Sequence, residues 1–236
     1  MIVLNDLFDY GYKIYQNPEY FKFSIDSILL AEFVTIKNNI RLLDMCTGNA
    51  PIPMILSNRK ANITIDGVEI QREVYSLAKK SIEINKITNI NIYNCDINKF
   101  ESPYKYDIIT CNPPYFKVGE KSLLNSNPIK NIARHEELLT LEEVIKNATR
   151  LIKENGTLYL IHRAKRSIEI INLLQQYKYG IRRICFISTG NNDNLELVLI
   201  EASKCKKSDP VISYLNIKSL NTYQNIFERM WLIWKW

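Results

Sequence analysis

Residues 40–53 read Ile-Arg-Leu-Leu-Asp-Met-Cys-Thr-Gly-Asn-Ala-Pro-Ile-Pro. An apolar run of strand length ends at Asp44, a single glycine follows, and two prolines open the next segment. Gly48 lets the backbone come close to a ligand, while Pro51 and Pro53 suit a first helical turn, where a missing N–H costs little. Strand, tight turn and helix N-terminus in that order make the crevice where open α/β sheets bind ligands, with Asp44 at its edge. An ordinary strand-to-helix turn holds the same parts, so the neighbouring segments decide.

Those neighbours alternate in the way a parallel sheet requires. Apolar runs at Ile40 to Met45, Ile63 to Val68, Ile90 to Tyr93, Tyr106 to Cys111, Thr157 to His162, Ile181 to Ser188 and Glu196 to Glu201 predict seven strands. Three-to-four apolar spacing predicts helices at Ile52 to Asn58, Arg72 to Asn85, Leu141 to Lys153 and Lys165 to Tyr177. Thr140 caps the third of these, and Glu143 completes a capping box. Ahead of the first strand, Phe23 to Val34 predicts a helix started by Ser24 or Asp26. The fold class is therefore α/β: a Rossmann-like, seven-stranded, mostly parallel sheet with helices on both faces. No repeat or composition break divides the chain. The expected organisation is a single domain with an N-terminal extension (1–39), a catalytic core (40–202) and a tail (203–236).

The second strand leads to Glu69, which stands 21 residues after Gly48. An acid about 20 residues beyond such a glycine accepts from ribose hydroxyls. Asp96 follows the third apolar run, where a side chain can accept from an adenine amino group. Any one of these acids is commonplace; the ordered series Asp44, Glu69, Asp96 at successive strand ends points to a nucleoside cofactor.

After the fourth strand comes Asn112-Pro113-Pro114-Tyr115. Two prolines fix the chain near φ −65° and push the preceding asparagine out of the α region, so this corner is rigid. The Asn112 side-chain oxygen and the Pro113 carbonyl can both accept from one planar NH2 group, and Tyr115 can stack on the attached ring. Such an amine is a poor nucleophile because its lone pair is delocalised. Two acceptors pull it toward tetrahedral geometry and aim the lone pair at an electrophile.

Composition adds limits. The chain has 236 residues, a formal charge of +6 and five cysteines with no C-x-x-C pair. Basic charge fits a nucleic-acid partner, although the richness in Ile, Asn and Lys also explains much of it. Scattered cysteines give neither a zinc site nor a disulfide framework, so no metal is expected. No apolar run approaches the roughly 20 residues of a membrane span. Asp6 and Asp9 stand where a signal peptide would be basic and then apolar, so a cytoplasmic, non-membrane protein is expected.

Taken together, Tyr12 to Gln16, Phe23 to Phe33, Leu43 to Ala50, Val68 to Gln71, Asn112 to Lys117, Ala133 to Glu136, His162-Arg163 and Leu197 to Ala202 resemble the bacterial tRNA1(Val) (adenine(37)-N6)-methyltransferases. These are class I, S-adenosylmethionine-dependent enzymes. The resemblance implies S-adenosyl-L-methionine as cofactor, tRNA as partner, and methylation of the exocyclic N6 of an adenine, adenine 37 of the anticodon loop. Asp44, Gly48, Glu69, Asp96 and Asn112 would contact the cofactor. Asn112, Pro113 and Tyr115 would do the catalytic work. Tyr115, Phe116, Lys117, Lys130, Arg134, His135 and Arg163 would touch RNA, the basic loop clamping phosphates around a flipped base. His162 would either touch substrate or cap its strand. The family usually has glycines where this chain has Cys46 and Ala50, so a Cβ is expected to strain a backbone that wants φ above zero.

Three other functions share parts of this pattern. A protein-glutamine N5-methyltransferase can use the same corner but usually carries a separate N-terminal helical domain, for which the residues before Ile40 leave no room. A DNA adenine methyltransferase needs a target-recognition domain that no segment here is long enough to form. A non-catalytic RNA-binding module would have no need to keep Asp44, Glu69 and the Asn112 to Tyr115 corner. A monomer is the favoured state.

Overall fold

The computed structural model describes residues 1–20, 25–115, 139–189, 194–204 and 209–217. A hairpin of β1 (Val3–Asp6) and β2 (Lys13–Gln16) leads to α1 (Ile25–Phe33). Then follow β3 (Ile40–Met45), α2 (Pro51–Leu56), β4 (Ile63–Glu69), α3 (Arg72–Ile84), β5 (Ile90–Asn94) and β6 (Tyr106–Cys111). After them come α4 (Leu141–Leu151), β7 (Ile152–Arg163), α5 (Ser167–Gln176), β8 (Tyr179–Ser188), β9 (Leu197–Lys204) and β10 (Val211–Asn216).

The seven expected strands are all present, and an eighth joins them. The order is β10-β8-β9-β7-β6-β3-β4-β5, with β9 antiparallel to both its neighbours and every other pair parallel. The added strand, β10, lies in the segment expected to be a tail. Val211, Ile212 and Tyr214 are exposed on it, so it has none of the continuous apolar character that marks a buried strand. The chain moves outward from β3 through β4 to β5, then returns to place β6 on the other side of β3. That reversal is the switch point where such sheets open a crevice.

Both faces are covered. On β3, Ile40 and Leu42 join one apolar cluster with α1 and α2, while Leu43 and Met45 join the other with α4 and α5. The hairpin is tied down by α3: the N–H of Lys13 donates to Asn85 Oδ1 at 2.8 Å and the N–H of Tyr15 to Ser81 Oγ at 2.9 Å. Among the described residues no helix is long and apolar enough to cross a membrane.

The Thr140 capping box forms as expected, with the N–H of Glu143 donating to Thr140 Oγ1 and the Thr140 N–H to Glu143 Oε2. Thr140→Ala is expected to cost about 1 kcal/mol in denaturant unfolding, the usual worth of such a cap. An unchanged midpoint would mean α4 is held by packing alone.

Candidate active site

The site begins at Asp44. Its Cα pairs in register with Gly67 on β4 and with Thr110 on β6, so it sits at the middle of the three central strands. The sequence places Asp44 facing the crevice; in the structure it is fully buried beneath the turn. Thr47 Oγ1 donates to one of its oxygens at 2.7 Å and Thr110 Oγ1 to the other at 2.5 Å. Asp44 has no exposed surface and is not among the residues that line the cleft, so here it organises the turn.

The turn carries the strain that its side chains predict. Cys46 has φ 58°, Gly48 φ 59° and Ala50 φ 68°. Only the glycine adopts this left-handed backbone without a Cβ penalty. A Cβ built on Gly48 would meet nothing within 4 Å, which leaves the backbone there open to an approaching ligand. Gly67 is the opposite case: a Cβ would come within 2.9 Å of Thr47 Oγ1 and 2.7 Å of Ile92 Cδ1. Its missing side chain is the space in which Thr47 turns back to Asp44.

Glu69 ends β4 where the spacing put it. Its Oε2 accepts from the Gly48 N–H at 2.9 Å and its Oε1 from the Gln71 N–H at 2.8 Å. Burial pushes its carboxyl up to about 7, against the downward pull of the Gln71, Gly48 and Ile70 N–H groups. Asp44 is also pushed up to about 7 by burial, opposed by the hydroxyls of Thr110 and Thr47 and reinforced by the charge of Glu69. Both acids keep their protons at pH values where an unfolded chain has released them, near pH 4. Their contribution to stability is therefore complete below about pH 4 and is lost as pH rises through about 7.

A cleft of about 940 Å³, counting its open mouth, lies over these strand ends. Gly48 and Glu69 line one part, Asp96 with Val74 and Ile97 another, and Asn112 with Pro114 and Ser27 a third. Half-buried Asp96 accepts from the Asn98 N–H at 2.9 Å through Oδ1. The cleft thus joins carboxylates, an apolar slot and the proline corner, as a nucleoside cofactor beside a second planar group would need.

At the corner, Asn112 Nδ2 donates to Ser27 Oγ at 3.3 Å, and the Tyr115 hydroxyl lies 2.5 Å from Asn112 Oδ1 and 2.9 Å from Asp26 Oδ2. Pro113 is buried. Burial, and then the carboxylate of Asp26, push the Tyr115 hydroxyl well above its usual range, while the charge of Arg163 opposes the shift. Arg163 is the last residue of β7. His162 is fully buried, its ring 5.0 Å from that of Tyr115, and the Arg163 N–H donates to its Nδ1 at 2.8 Å. Burial lowers its pKa to about 3, so it is a neutral packing partner for Tyr115. Phe116, Lys117, Lys130, Arg134 and His135 lie outside the described residues. Sequence reading missed Ser27, Thr47, Gly67 and Thr110 as parts of the site and took Asp26 only for a helix start. Of these, Gly67 alone left a signal, an isolated glycine inside a strand.

Residues 20–180 match the family described as the methyltransferase small domain. This chain belongs to that family. It is a methyltransferase, and its cofactor is S-adenosylmethionine. It is 29% identical, over 79% of its length and 79% of the relative's, to the tRNA1(Val) (adenine(37)-N6)-methyltransferase of Pseudoalteromonas translucida. The protein of the same name from Flavobacterium psychrophilum is 29% identical over 71% of this chain and 72% of its own. In fold it is similar to a class I S-adenosylmethionine-dependent methyltransferase from Listeria monocytogenes, with TM-score 0.65, 15% identity and coverage of 94% of this chain and 73% of that one.

Two outcomes follow for this methyltransferase. On the expectation that Glu69 accepts from ribose hydroxyls, and does so best as a carboxylate, titration calorimetry should find cofactor binding about tenfold tighter at pH 8 than at pH 6, the ratio of ionised fractions around a pKa of about 7. Glu69→Gln should bind weakly and flatten that dependence. Ala50→Val forces a β-branched residue into the left-handed region of a filled site and should cost about 2–4 kcal/mol in denaturant unfolding. Ala50→Gly should stay within about 1 kcal/mol of the parent, since lost strain offsets lost methyl burial and added chain entropy.

Proposed function

We propose that this protein transfers a methyl group from S-adenosylmethionine to the exocyclic N6 of an adenine in tRNA, adenine 37 of the anticodon loop, acting as a single-domain monomer in the cytoplasm. The observation that carries the reading is that Asn112 and Pro114 of the corner line the same cleft as Gly48 and Glu69. The names of the similar proteins and the charge of +6 point the same way.

When bound, S-adenosylmethionine supplies an electrophilic methyl group on a sulfonium sulfur. Gly48 offers an open backbone beside it, Glu69 accepts from the ribose hydroxyls, and Asp96 stands where an adenine amino group would be met. Val74 and Ile97 supply apolar walls for a planar ring. These acceptors and spaces fit the group. Asp44 acts on it through Thr47, by holding the turn.

On the substrate side, Asn112 Oδ1 and the Pro113 carbonyl accept the two protons of the adenine amino group and set its lone pair out of the ring plane. Tyr115 carries the ring. An amide cannot serve as a general base, so Asn112 contributes orientation and stabilisation of charge on nitrogen. An adenine in RNA leaves its stack to reach such a pocket. The basic residues Lys117, Lys130 and Arg134 would bind phosphates around it, as the family resemblance implies.

The test is single-turnover methylation of unmodified tRNA, with product read by nucleoside mass spectrometry and position by mapping of nuclease fragments. N6-methyladenosine at position 37 is expected. Asn112→Ala should slow transfer on the order of a hundredfold while cofactor affinity changes little, as loss of one transition-state hydrogen bond does. A methylated protein glutamine in place of adenosine would overturn the reading.

A further inference from the structure

The Tyr115 hydroxyl has one proton and two acceptors within reach. Asn112 Oδ1 lies 2.5 Å from it and Asp26 Oδ2 lies 2.9 Å from it, the second contact spanning 89 residues of chain. Asn112 Oδ1 is the same oxygen that, on the reading above, must accept from the substrate amine. A tyrosine donating to that oxygen competes with the substrate for it. The geometry therefore poses a problem that Asp26 is placed to solve.

We infer that Asp26 is a positioning residue that draws the Tyr115 hydroxyl off Asn112 when the substrate amino group docks, so that substrate entry leaves no buried donor without an acceptor. This rests on the adenine-methylating reading of the corner. In the ligand-free chain the hydroxyl sits between the two oxygens and keeps the amide closed. When an amino group takes Asn112 Oδ1, the hydroxyl turns to the Asp26 carboxylate, where a charge-assisted bond replaces the neutral one. No bond to carbon or nitrogen is made in this exchange; one hydrogen bond is traded for another. An unpartnered buried hydroxyl would oppose docking, and a hydroxyl held on Asn112 would occupy one of the two lone pairs of its oxygen and weaken its hold on the amine.

The surroundings restrict Tyr115 to this exchange. Its ring packs on His162, which burial keeps neutral, so His162 adds no charge that would draw the hydroxyl elsewhere. Ser27, the residue after Asp26, accepts from Asn112 Nδ2 at 3.3 Å and leaves the amide oxygen on the Tyr115 side. The first turn of α1 thus addresses the amide nitrogen and its competitor from consecutive positions. The charge of Arg163 also acts on the Tyr115 hydroxyl, opposing the upward push of Asp26.

A double-variant cycle on single-turnover methylation of unmodified tRNA tests this. Tyr115→Phe keeps the ring, removes the competing hydroxyl and sets the reference rate. Asp26→Ala leaves the hydroxyl with Asn112 alone and should slow transfer tenfold or more with cofactor affinity unchanged. Asp26→Asn, which retains an acceptor oxygen, should recover most of that loss. The double variant Asp26→Ala/Tyr115→Phe should return to the reference rate, because nothing is left to compete for Asn112; simple damage to α1 would give no such rescue. Thermal melting of each variant shows that it is folded. A wild-type chain that methylates no adenine overturns the functional reading and this inference together. An active wild type with Asp26→Ala at full rate, or a double variant no faster than Asp26→Ala, overturns the positioning of Tyr115 alone.

Discussion

The carboxylate of Asp44 has no exposed surface, and the hydroxyls of Thr47 and Thr110 fill both of its oxygens. Taking a carboxylate out of water costs on the order of several kcal/mol unless donors replace the solvent. The donors here come from the turn after β3 and from β6, so neither can move away without leaving the acid unsatisfied. Register makes this possible, since Asp44 stands opposite Gly67 on one side and Thr110 on the other. Thr47 reaches the acid only because Gly67 has no Cβ to fill the space. Cleft, turn and corner all hang from this one buried group.

That anchor explains how a strained turn persists with so little glycine. Three of five consecutive residues, Cys46, Gly48 and Ala50, are left-handed, and two of them carry a Cβ at roughly 1–2 kcal/mol each. The turn is held at both ends by groups that have nowhere else to go. The Thr47 N–H donates to the Val68 carbonyl at 2.9 Å, and the Gly48 N–H donates to Glu69. Asn49 Nδ2 donates to the Tyr15 carbonyl at 3.0 Å, which carries the N-terminal hairpin into the same support. Glu69 therefore shapes the turn as well as presenting a carboxylate to the cleft. Its burial raises the cost of that charge.

Strand positions and strand-end acids were legible because they depend on local pattern: continuous apolar runs between helices, and an acid at a fixed distance from a glycine. The rigid corner was legible for a similar reason, since prolines restrict φ whatever surrounds them. What the sequence hid is set by contacts between distant segments. Whether Asp44 faces the cleft or lies beneath it depends on Thr110, 66 residues away, and on the gap at Gly67. Asp26 reads locally as a helix-start acid, and only the approach of α1 to the corner beyond β6 gives it Tyr115 as a partner. β10 was hidden for a third reason: an edge strand with exposed apolar side chains has neither the continuous pattern of a buried strand nor clean alternation.

The Gly48 turn and the Asn112 corner begin at adjacent places in the sheet. Met45 and Cys111 are paired in the β3–β6 ladder, so Cys46 and Asn112 leave the sheet from neighbouring positions, about 4.8 Å apart as neighbouring strands are. The separation between the turn and the corner is thus fixed by backbone hydrogen bonds. Methyl transfer depends on alignment at the level of a few tenths of an ångström, and loops alone hold geometry less well than paired strands. The side chains that finish the corner come from α1, a helix outside the sheet, through Ser27 and Asp26. A rigid ladder sets the distance between the turn and the corner, and a separate helix sets the hydrogen bonds of Asn112, whose oxygen the proposed reaction requires to be free.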